Sequence, residues 1–337
     1  MKFIILGTII VVHLVVLGLM LGPCHPEKAR PEKPVVKETP GGGTPPVAPP
    51  PAPSSVQPVR PAAFGPGFYS EAPGTLPAAL AAAAQNCRAA IVVDWSARTV
   101  LWKKQDETAV PIASLTKMMT VLLVMENMEQ DPAITLETPI RVTREANRIG
   151  GREVWLDVRE TFTLDEMLKC TLIFSANDAA YLLGQFLAGG DCAVFVERMN
   201  RRARELGMGS LTFHNPNGLP EGAQRLENRG SARDISYLAG RLLDYPQVLK
   251  WSQTRSEALA SPLRKPATML TSTNHLLDRV AGVNGMKTGY TDAAGWCMAA
   301  TCERNGRVVI VVVTGCEKAD ARNSLVAGLI EWAYGRG

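Results

Sequence analysis

The chain has 337 residues, a hydrophobic fraction of 46% and a formal net charge of +4. That length accommodates a leader and one or two domains, and the composition is ordinary for a globular protein with a sizeable core. Six of the 36 basic and three of the 32 acidic residues lie before residue 68, which leaves 30 basic and 29 acidic residues in 68–337. This near-neutral body has no excess of positive charge for binding nucleic acid, so we expect no nucleic-acid partner.

The N-terminal stretch from Phe3 to Gly22 is apolar apart from Thr8 and His13 and carries no Asp, Glu, Lys or Arg. Twenty residues match one bilayer span and exceed the usual apolar core of a cleaved signal peptide. No A-x-A-like cleavage site follows, and Pro23 argues against a lipoprotein signal ending at Cys24. An uncleaved transmembrane anchor over residues 1–22 is therefore favoured over a cleaved signal.

A proline-rich segment follows the apolar stretch. Residues 23–66 hold 14 of the 24 prolines together with Gly41-Gly42-Gly43. Such a composition cannot bury enough apolar surface to fold. We predict a disordered, partly polyproline-II linker over residues 23–67, which could span on the order of 100 Å at about 3.1 Å per residue. The globular body is expected over residues 75–337, well away from the membrane.

Strand patterns lie near the two ends of this body, and helical patterns fill the middle. The predicted strands are Ala90–Asp94 and Thr99–Trp102 at the start, and Gly295–Thr301 and Val308–Thr314 around the hairpin signal Asn305-Gly306 at the end. One predicted helix begins near Ser114, another begins at the capping box of Thr163 and Glu166 and runs to about Ile173, and others cover 178–188, 192–206, 232–243 and 321–334. The order predicts an α+β fold in which one sheet is closed from both termini and carries a mostly helical insertion.

The segment Ser114-Leu115-Thr116-Lys117 places a serine and a lysine one helical turn apart, because Pro111 suggests that a helix starts close by. A serine hydroxyl becomes an effective nucleophile when a neighbouring base takes its proton. A lysine can be that base if burial and nearby positive charge, including that of a helix N-terminus, lower its pKa. Taken alone, such a pair is more often a surface serine and lysine on a helix.

Two further polar segments are candidates for the same site. Ser175-Ala176-Asn177 falls between two predicted helices, where it either points into a cleft or caps the second helix. Lys287-Thr288-Gly289 lies on a predicted strand, where the lysine and the hydroxyl could hold a carboxylate. A glycine inside a strand often marks close approach of a ligand or another backbone, although a bulged strand is the alternative.

The three segments occur in the order found in penicillin-recognising enzymes, about 60 and about 110 residues apart. Over about residues 85–337 the chain resembles the D-alanyl-D-alanine carboxypeptidase family of low-molecular-weight penicillin-binding proteins. Ala176 stands where many relatives have glycine, a position that varies. The resemblance is carried by residues 111–120 (PIASLTKMMT), 175–180 (SANDAA), 213–219 (FHNPNGL) and 286–297 (MKTGYTDAAGWC).

The resemblance implies a β-lactamase/transpeptidase-like fold, with an antiparallel sheet of about five strands flanked by helices. It also implies catalytic roles for four residues. Ser114 would attack the carbonyl between the last two D-alanines, and Lys117, neutral in the free enzyme, would accept its proton. Ser175 would relay a proton to the leaving amine, and Asn177 would hold both Lys117 and the substrate peptide.

The same resemblance implies a substrate-binding strand. Lys287 and Thr288 would bind the terminal carboxylate, with Gly289 and Tyr290 beside them. The backbone N–H groups of Ser114 and Tyr290 would form the oxyanion hole. The expected partners are peptidoglycan stem peptides ending in D-Ala-D-Ala and, as covalent inhibitors, β-lactam antibiotics. No metal or organic cofactor is expected. The expected location is the bacterial cell envelope, with the catalytic domain anchored outside the cytoplasmic membrane.

Other functions remain as alternatives. A D,D-endopeptidase would use the same residues on cross-linked peptidoglycan, and a β-lactamase would need a glutamate-held water that we cannot identify. A non-catalytic wall-binding protein would have no need of the Ser114–Lys117 pair. A Ser-His-Asp hydrolase is disfavoured, because G-x-S-x-G is absent and neither His214 nor His275 has a triad setting. The seven cysteines show no metal-binding spacing, and buried free thiols are favoured over disulfides.

Overall fold

A computed structural model of the chain describes residues 63–336. The strands in this range are β1 (Ser70–Glu71), β2 (Ala89–Asp94), β3 (Thr99–Lys104), β4 (Val110–Pro111), β5 (Pro139–Arg141), β6 (Thr161–Thr163), β7 (Arg229–Gly230), β8 (Ser256–Leu259), β9 (Thr268–Thr271), β10 (Val283–Thr291), β11 (Gly295–Arg304) and β12 (Arg307–Cys316). The α-helices in it are α1 (Ala78–Ala84), α2 (Lys117–Gln130), α3 (Arg144–Asn147), α4 (Leu164–Lys169), α5 (Asn177–Leu187), α6 (Cys192–Glu205), α7 (Ala232–Leu242), α8 (Pro246–Ser252) and α9 (Ala319–Tyr334). Three tighter or wider turns complete the helical structure: 3₁₀ turns at Ala113–Thr116 and His275–Asp278, and a π-helical turn at Cys170–Phe174.

The central sheet of the described residues has six strands in the order β1-β3-β2-β12-β11-β10. All neighbours are antiparallel except β1, which runs parallel to β3. The pairing of β2 with β12 joins the first and last parts of the body, as the sequence predicts. Asn305 and Gly306 both have positive φ, as a type I′ hairpin turn requires. The sixth strand, beyond the five expected, is the two-residue β1.

Both faces of this sheet are buried, which explains the near-continuous apolar runs of its central strands. Every residue of β2 is buried, and successive side chains point to opposite faces. Ile91 and Val93 pack on the face covered by α7, whereas Ala90 and Val92 pack on the face covered by α9. Full burial of one such valine or isoleucine side chain contributes about 1.5–3 kcal/mol.

The predicted helices are all present, with informative differences at two ends. The helix expected near Ser114 begins as a 3₁₀ turn and becomes α-helical only at Lys117. The capping box of Thr163 and Glu166 forms as expected and opens α4. That helix widens into the π-helical turn and stops because Ser175 adopts a left-handed backbone conformation with φ of 67°. These two departures from regular helix place Ser114 and Ser175, two of the predicted site residues, at the ends of their helices.

The packed body begins before residue 75. Phe64 is buried, stacks on Tyr237 with 4.9 Å between ring centroids, and donates its backbone N–H to the carbonyl of Leu206 at 2.7 Å. Glu71 accepts a hydrogen bond from Arg233 of α7 at 2.8 Å. Residues 63–67, expected at the end of the linker, are therefore part of the folded body. The expected anchor and the linker up to residue 62 lie outside the described residues.

Two further observations concern the described part of the chain. Within residues 63–336, no single helix combines the length and apolar composition that a membrane crossing needs. The six cysteines of this range are all free thiols, five of them buried and Cys192 partly exposed. Cys24 lies outside it.

Candidate active site

A cleft of about 620 Å³ lies where the edge strand β10 faces the 3₁₀ turn before α2 and the turn before α5. The structure brings all eight predicted site residues together here. Six of them line the cleft directly, and Lys117 and Lys287 are almost completely buried beneath it. The six lining residues are Ser114, Ser175, Asn177, Thr288, Gly289 and Tyr290.

The amine of Lys117 sits among three oxygen atoms. Its Nζ lies 3.0 Å from Ser114 Oγ, 2.7 Å from Asn177 Oδ1 and 2.6 Å from the backbone carbonyl of Asn217. The two amide oxygens can only accept hydrogen bonds, so they take two N–H groups of a neutral amine. The lone pair of that amine is then left for the hydroxyl hydrogen of Ser114, which is the arrangement of a base beside its nucleophile.

Burial sets the charge of this amine. Because Lys117 is withdrawn from water, its pKa falls to about 7. The guanidinium of Arg152 lowers the pKa further, whereas the carboxylate of Asp178 opposes the fall. A substantial fraction of Lys117 is therefore neutral near pH 7, as the sequence-based interpretation requires of a general base.

Ser175 and Lys287 form a second pair beside the first. Lys287 Nζ donates to Ser175 Oγ at 2.7 Å and to the carbonyl of Thr288 at 2.8 Å. The left-handed backbone of Ser175 turns its side chain into the cleft, so neither it nor Asn177 caps α5. Burial lowers the pKa of Lys287 well below its ordinary value, and the nearby Lys117 and Arg152 lower it further.

Two glycines let three backbone segments meet at Ser114. A Cβ on Gly289 would lie 3.0 Å from the backbone nitrogen of Ser114, so β10 approaches this serine closely, as its glycine predicts. Gly218 has φ of +88°, and a Cβ there would lie 2.1 Å from the carbonyl oxygen of Ala113. Asn215 holds this turn by accepting N–H groups of Asn217 and Gly218 at 3.2 and 2.7 Å, which presents the Asn217 carbonyl to Lys117.

Sequence reasoning missed several parts of this cleft. The carbonyl of Asn217 lies in a segment singled out above, but a backbone acceptor leaves no trace in residue type. Arg152, Arg322 and His275 also line the cleft, and only the folded chain brings them there. His275 has no triad partner in the cleft, where no aspartate or glutamate is among the lining residues. Within residues 63–336, no cluster of three or more His, Cys, Asp or Glu forms a candidate metal site.

The Gly218 turn yields a stability test with a matched control. Gly222 also has positive φ, at 66°, but a Cβ there would meet nothing within 4 Å. We expect Gly222→Ala to cost about 1 kcal/mol from backbone strain alone, and Gly218→Ala to cost at least about 3 kcal/mol because strain and overlap with Ala113 add. Urea denaturation of both variants measures the difference. Equal losses would show that the turn moves away from Ala113 without penalty.

Comparisons with known proteins agree with this geometry. A D-alanyl-D-alanine carboxypeptidase of Bacillus subtilis, DacF, is 32% identical over 271 residues, which are 80% of this chain and 67% of that protein. A D-alanyl-D-alanine endopeptidase of Pseudomonas aeruginosa is 32% identical over 228 residues, which are 66% of this chain and 69% of that protein. The crystal structure of penicillin-binding protein D2 of Listeria monocytogenes with ampicillin aligns with a TM-score of 0.65 and 28% identity, over 74% of this chain and 98% of that one. This likeness confirms the expected transpeptidase-like fold.

A family model provides a separate line of evidence. The family model described as D-alanyl-D-alanine carboxypeptidase matches residues 77–318, which include every element that lines the cleft except the first turns of α9. The chain belongs to the D-alanyl-D-alanine carboxypeptidase family of low-molecular-weight penicillin-binding proteins.

Proposed function

We propose that this protein is a serine D-alanyl-D-alanine carboxypeptidase that removes the terminal D-alanine from peptidoglycan stem peptides. The single observation that carries the proposal is the contact between Ser114 Oγ and the buried amine of Lys117, whose pKa is lowered to about 7. A wall-binding protein without catalysis has no use for that pair. The family to which the chain belongs supports the choice of D-Ala-D-Ala peptides as substrate.

In the proposed acylation step, Ser114 Oγ forms a bond to the carbonyl carbon between the last two D-alanines as its proton passes to Lys117 Nζ. The negative charge that develops on the carbonyl oxygen is stabilised by the backbone N–H groups of Ser114 and Tyr290, each such donor contributing about 3–4 kcal/mol. The C–N bond then breaks. Ser175, in contact with Lys287, relays this proton from Lys117 to the leaving amine, so that D-alanine departs and Lys117 is neutral again.

The substrate lies along β10 in this proposal. Lys287 and Thr288 attract its terminal carboxylate, Gly289 lets the strand and the substrate approach the nucleophile, and Asn177 binds the peptide on the acyl side. Water then attacks the ester carbonyl and gives up a proton to Lys117. The bond between the carbonyl carbon and Ser114 Oγ breaks, Lys117 returns the proton to Oγ, and the shortened peptide leaves. A β-lactam would follow the same first step and leave Ser114 acylated, in agreement with the ampicillin-bound state of the Listeria relative.

The first test uses the full-length chain in detergent with a fluorescent penicillin and diacetyl-L-lysyl-D-alanyl-D-alanine. We expect covalent labelling and release of D-alanine, both lost by at least about 10³-fold in Ser114→Ala, because the nucleophile is gone. Ser256→Ala, an exposed serine on β8 outside the cleft, is the matched control and should keep both activities.

The same experiment separates the alternative reactions. Labelling without release of D-alanine, together with cleavage of cross-linked muropeptides, would establish an endopeptidase, the activity named for the Pseudomonas relative. Full activity of Ser114→Ala would refute the serine mechanism altogether.

The pKa of Lys117 predicts a pH dependence. The neutral amine is the reactive form, so the rate of acylation by penicillin should rise with pH through a midpoint of about 7 and level off above it. Lys117→Arg should abolish acylation, because a guanidinium stays charged and cannot accept the proton. Second-order acylation rates measured from pH 5 to 9 provide the test. A midpoint above 9 would mean that Lys117 is not the base.

We also propose that residues 1–22 anchor the protein in the cytoplasmic membrane without cleavage, with the catalytic body outside it. The apolar length of Phe3–Gly22 supports this arrangement. Intact-mass measurement of the membrane-fraction protein should then give the mass of the uncleaved chain, and deletion of residues 2–22 should remove it from that fraction. A mature chain beginning near Cys24 would overturn the anchor.

A further inference from the structure

The loop formed by residues 150–156 is fastened to the start of α5 at one wall of the cleft. Asn177 donates its side-chain amide to the carbonyl of Gly150 at 3.0 Å and its backbone N–H to the carbonyl of Arg152 at 2.7 Å. Further along the loop, the backbone N–H groups of Val154 and Leu156 both donate to the buried carboxylate of Asp178. The backbone at Arg152 is therefore held in a fixed position relative to the catalytic Asn177.

The side chain of Arg152 is also positioned, but its charge is not neutralised. Its Nε donates to the carbonyl of Phe174, and its guanidinium lies 4.3 Å from the centroid of the Phe174 ring. No carboxylate within residues 63–336 forms an ion pair with it, whereas Arg264 and Arg233 are paired with Glu160 and Asp106. The four N–H donors on the two terminal nitrogens of Arg152 remain available in the cleft, where they can bind both oxygens of a carboxylate.

The side chain of Arg152 is exposed to solvent, and no counter-ion lies beside it in the cleft. No aspartate or glutamate lines the cleft, while Arg322 lines it as well and two buried lysines lie beneath it. Arg152 is close enough to lower the pKa values of both lysines. A cation held beside two amines with no counter-ion is stabilised when a carboxylate binds to it.

The orientation of the substrate in the cleft determines which of its carboxylates can reach Arg152. In the proposed function, on which this inference rests, the terminal carboxylate lies at Lys287 and Thr288, and the acyl half of the substrate lies at Asn177. Arg152 adjoins Asn177, so it faces the acyl half. We propose that Arg152 is a specificity-determining residue that binds a carboxylate on the acyl side of the scissile bond, upstream of the penultimate D-alanine.

Two pairs of probes that differ in one acyl-side carboxylate test this proposal on the full-length chain. The peptide pair is γ-D-glutamyl-L-lysyl-D-alanyl-D-alanine with a free α-carboxylate and the same peptide as its α-amide. The β-lactam pair is carbenicillin and benzylpenicillin, since carbenicillin carries an additional carboxylate on its acyl side chain. The readouts are kcat/KM for D-alanine release and the second-order rate constant of acylation.

For each pair, we compare the ratio of the rate constant for the acidic probe to that for the neutral probe. We expect this ratio to fall by about five- to ten-fold in Arg152→Gln and by a smaller factor in Arg152→Lys. The comparison uses the ratio within each pair, so a general loss of activity in the variant does not enter it. Arg148→Gln removes an exposed arginine four residues earlier, outside the cleft, and should keep the wild-type ratios. Raising the salt concentration should reduce the preference of the wild type.

Identical ratios in the wild type and Arg152→Gln would overturn the proposal, as would an equal fall in Arg148→Gln. Failure of the proposed function looks different. If D-alanine is not released from either peptide but β-lactams still acylate Ser114, the carboxypeptidase reaction is refuted while the β-lactam pair still decides the role of Arg152.

Discussion

The amine of Lys117 is held in the protein interior, and the geometry of the site follows from keeping it satisfied in both of its charge states. As a neutral base it donates to Asn177 Oδ1 and the Asn217 carbonyl and accepts from Ser114. As an ammonium it can donate to all three oxygens without any of them moving. In the proposed mechanism, proton transfer from Ser114 to Lys117 therefore needs little reorganisation, which is the property that makes a preorganised site effective.

Lys117 and Lys287 are two buried amines in one site, and neither forms an ion pair with a carboxylate among the described residues. Asp178 is close enough to raise the pKa of Lys117, yet its carboxylate is occupied by backbone N–H groups of the loop at Val154 and Leu156. Asp178 therefore raises the pKa of Lys117 without forming an ion pair that would hold Lys117 in its charged form. Burial outweighs this moderation, because it is the largest cause of the lowered pKa of both lysines.

The sequence predicted what depends on local pattern and on residue type. The hairpin at Asn305-Gly306, the capping box at Thr163 and the pairing of Ser114 with Lys117 all follow from short-range rules. What it could not predict depends on tertiary contact. The packing of Phe64 requires Tyr237, more than 170 residues later, and the position of Arg152 depends on a turn that is anchored by another element. The left-handed Ser175 was likewise hidden, because nothing in its residue type signals that conformation.

The pairing of β2 with β12 has a consequence for the order in which the protein acquires its structure. Ala90 lies opposite Val313, so the strand that opens the sheet must wait for a partner more than 220 residues later. Contacts of such long sequence separation slow folding, and a chain emerging from the ribosome at roughly 5–20 residues per second needs on the order of ten seconds or more to supply them. Until then Ser114 and Lys117 are present but lack Lys287 and the strand that forms the other wall of the cleft. The growing polypeptide thus stays without a complete catalytic centre for most of its synthesis.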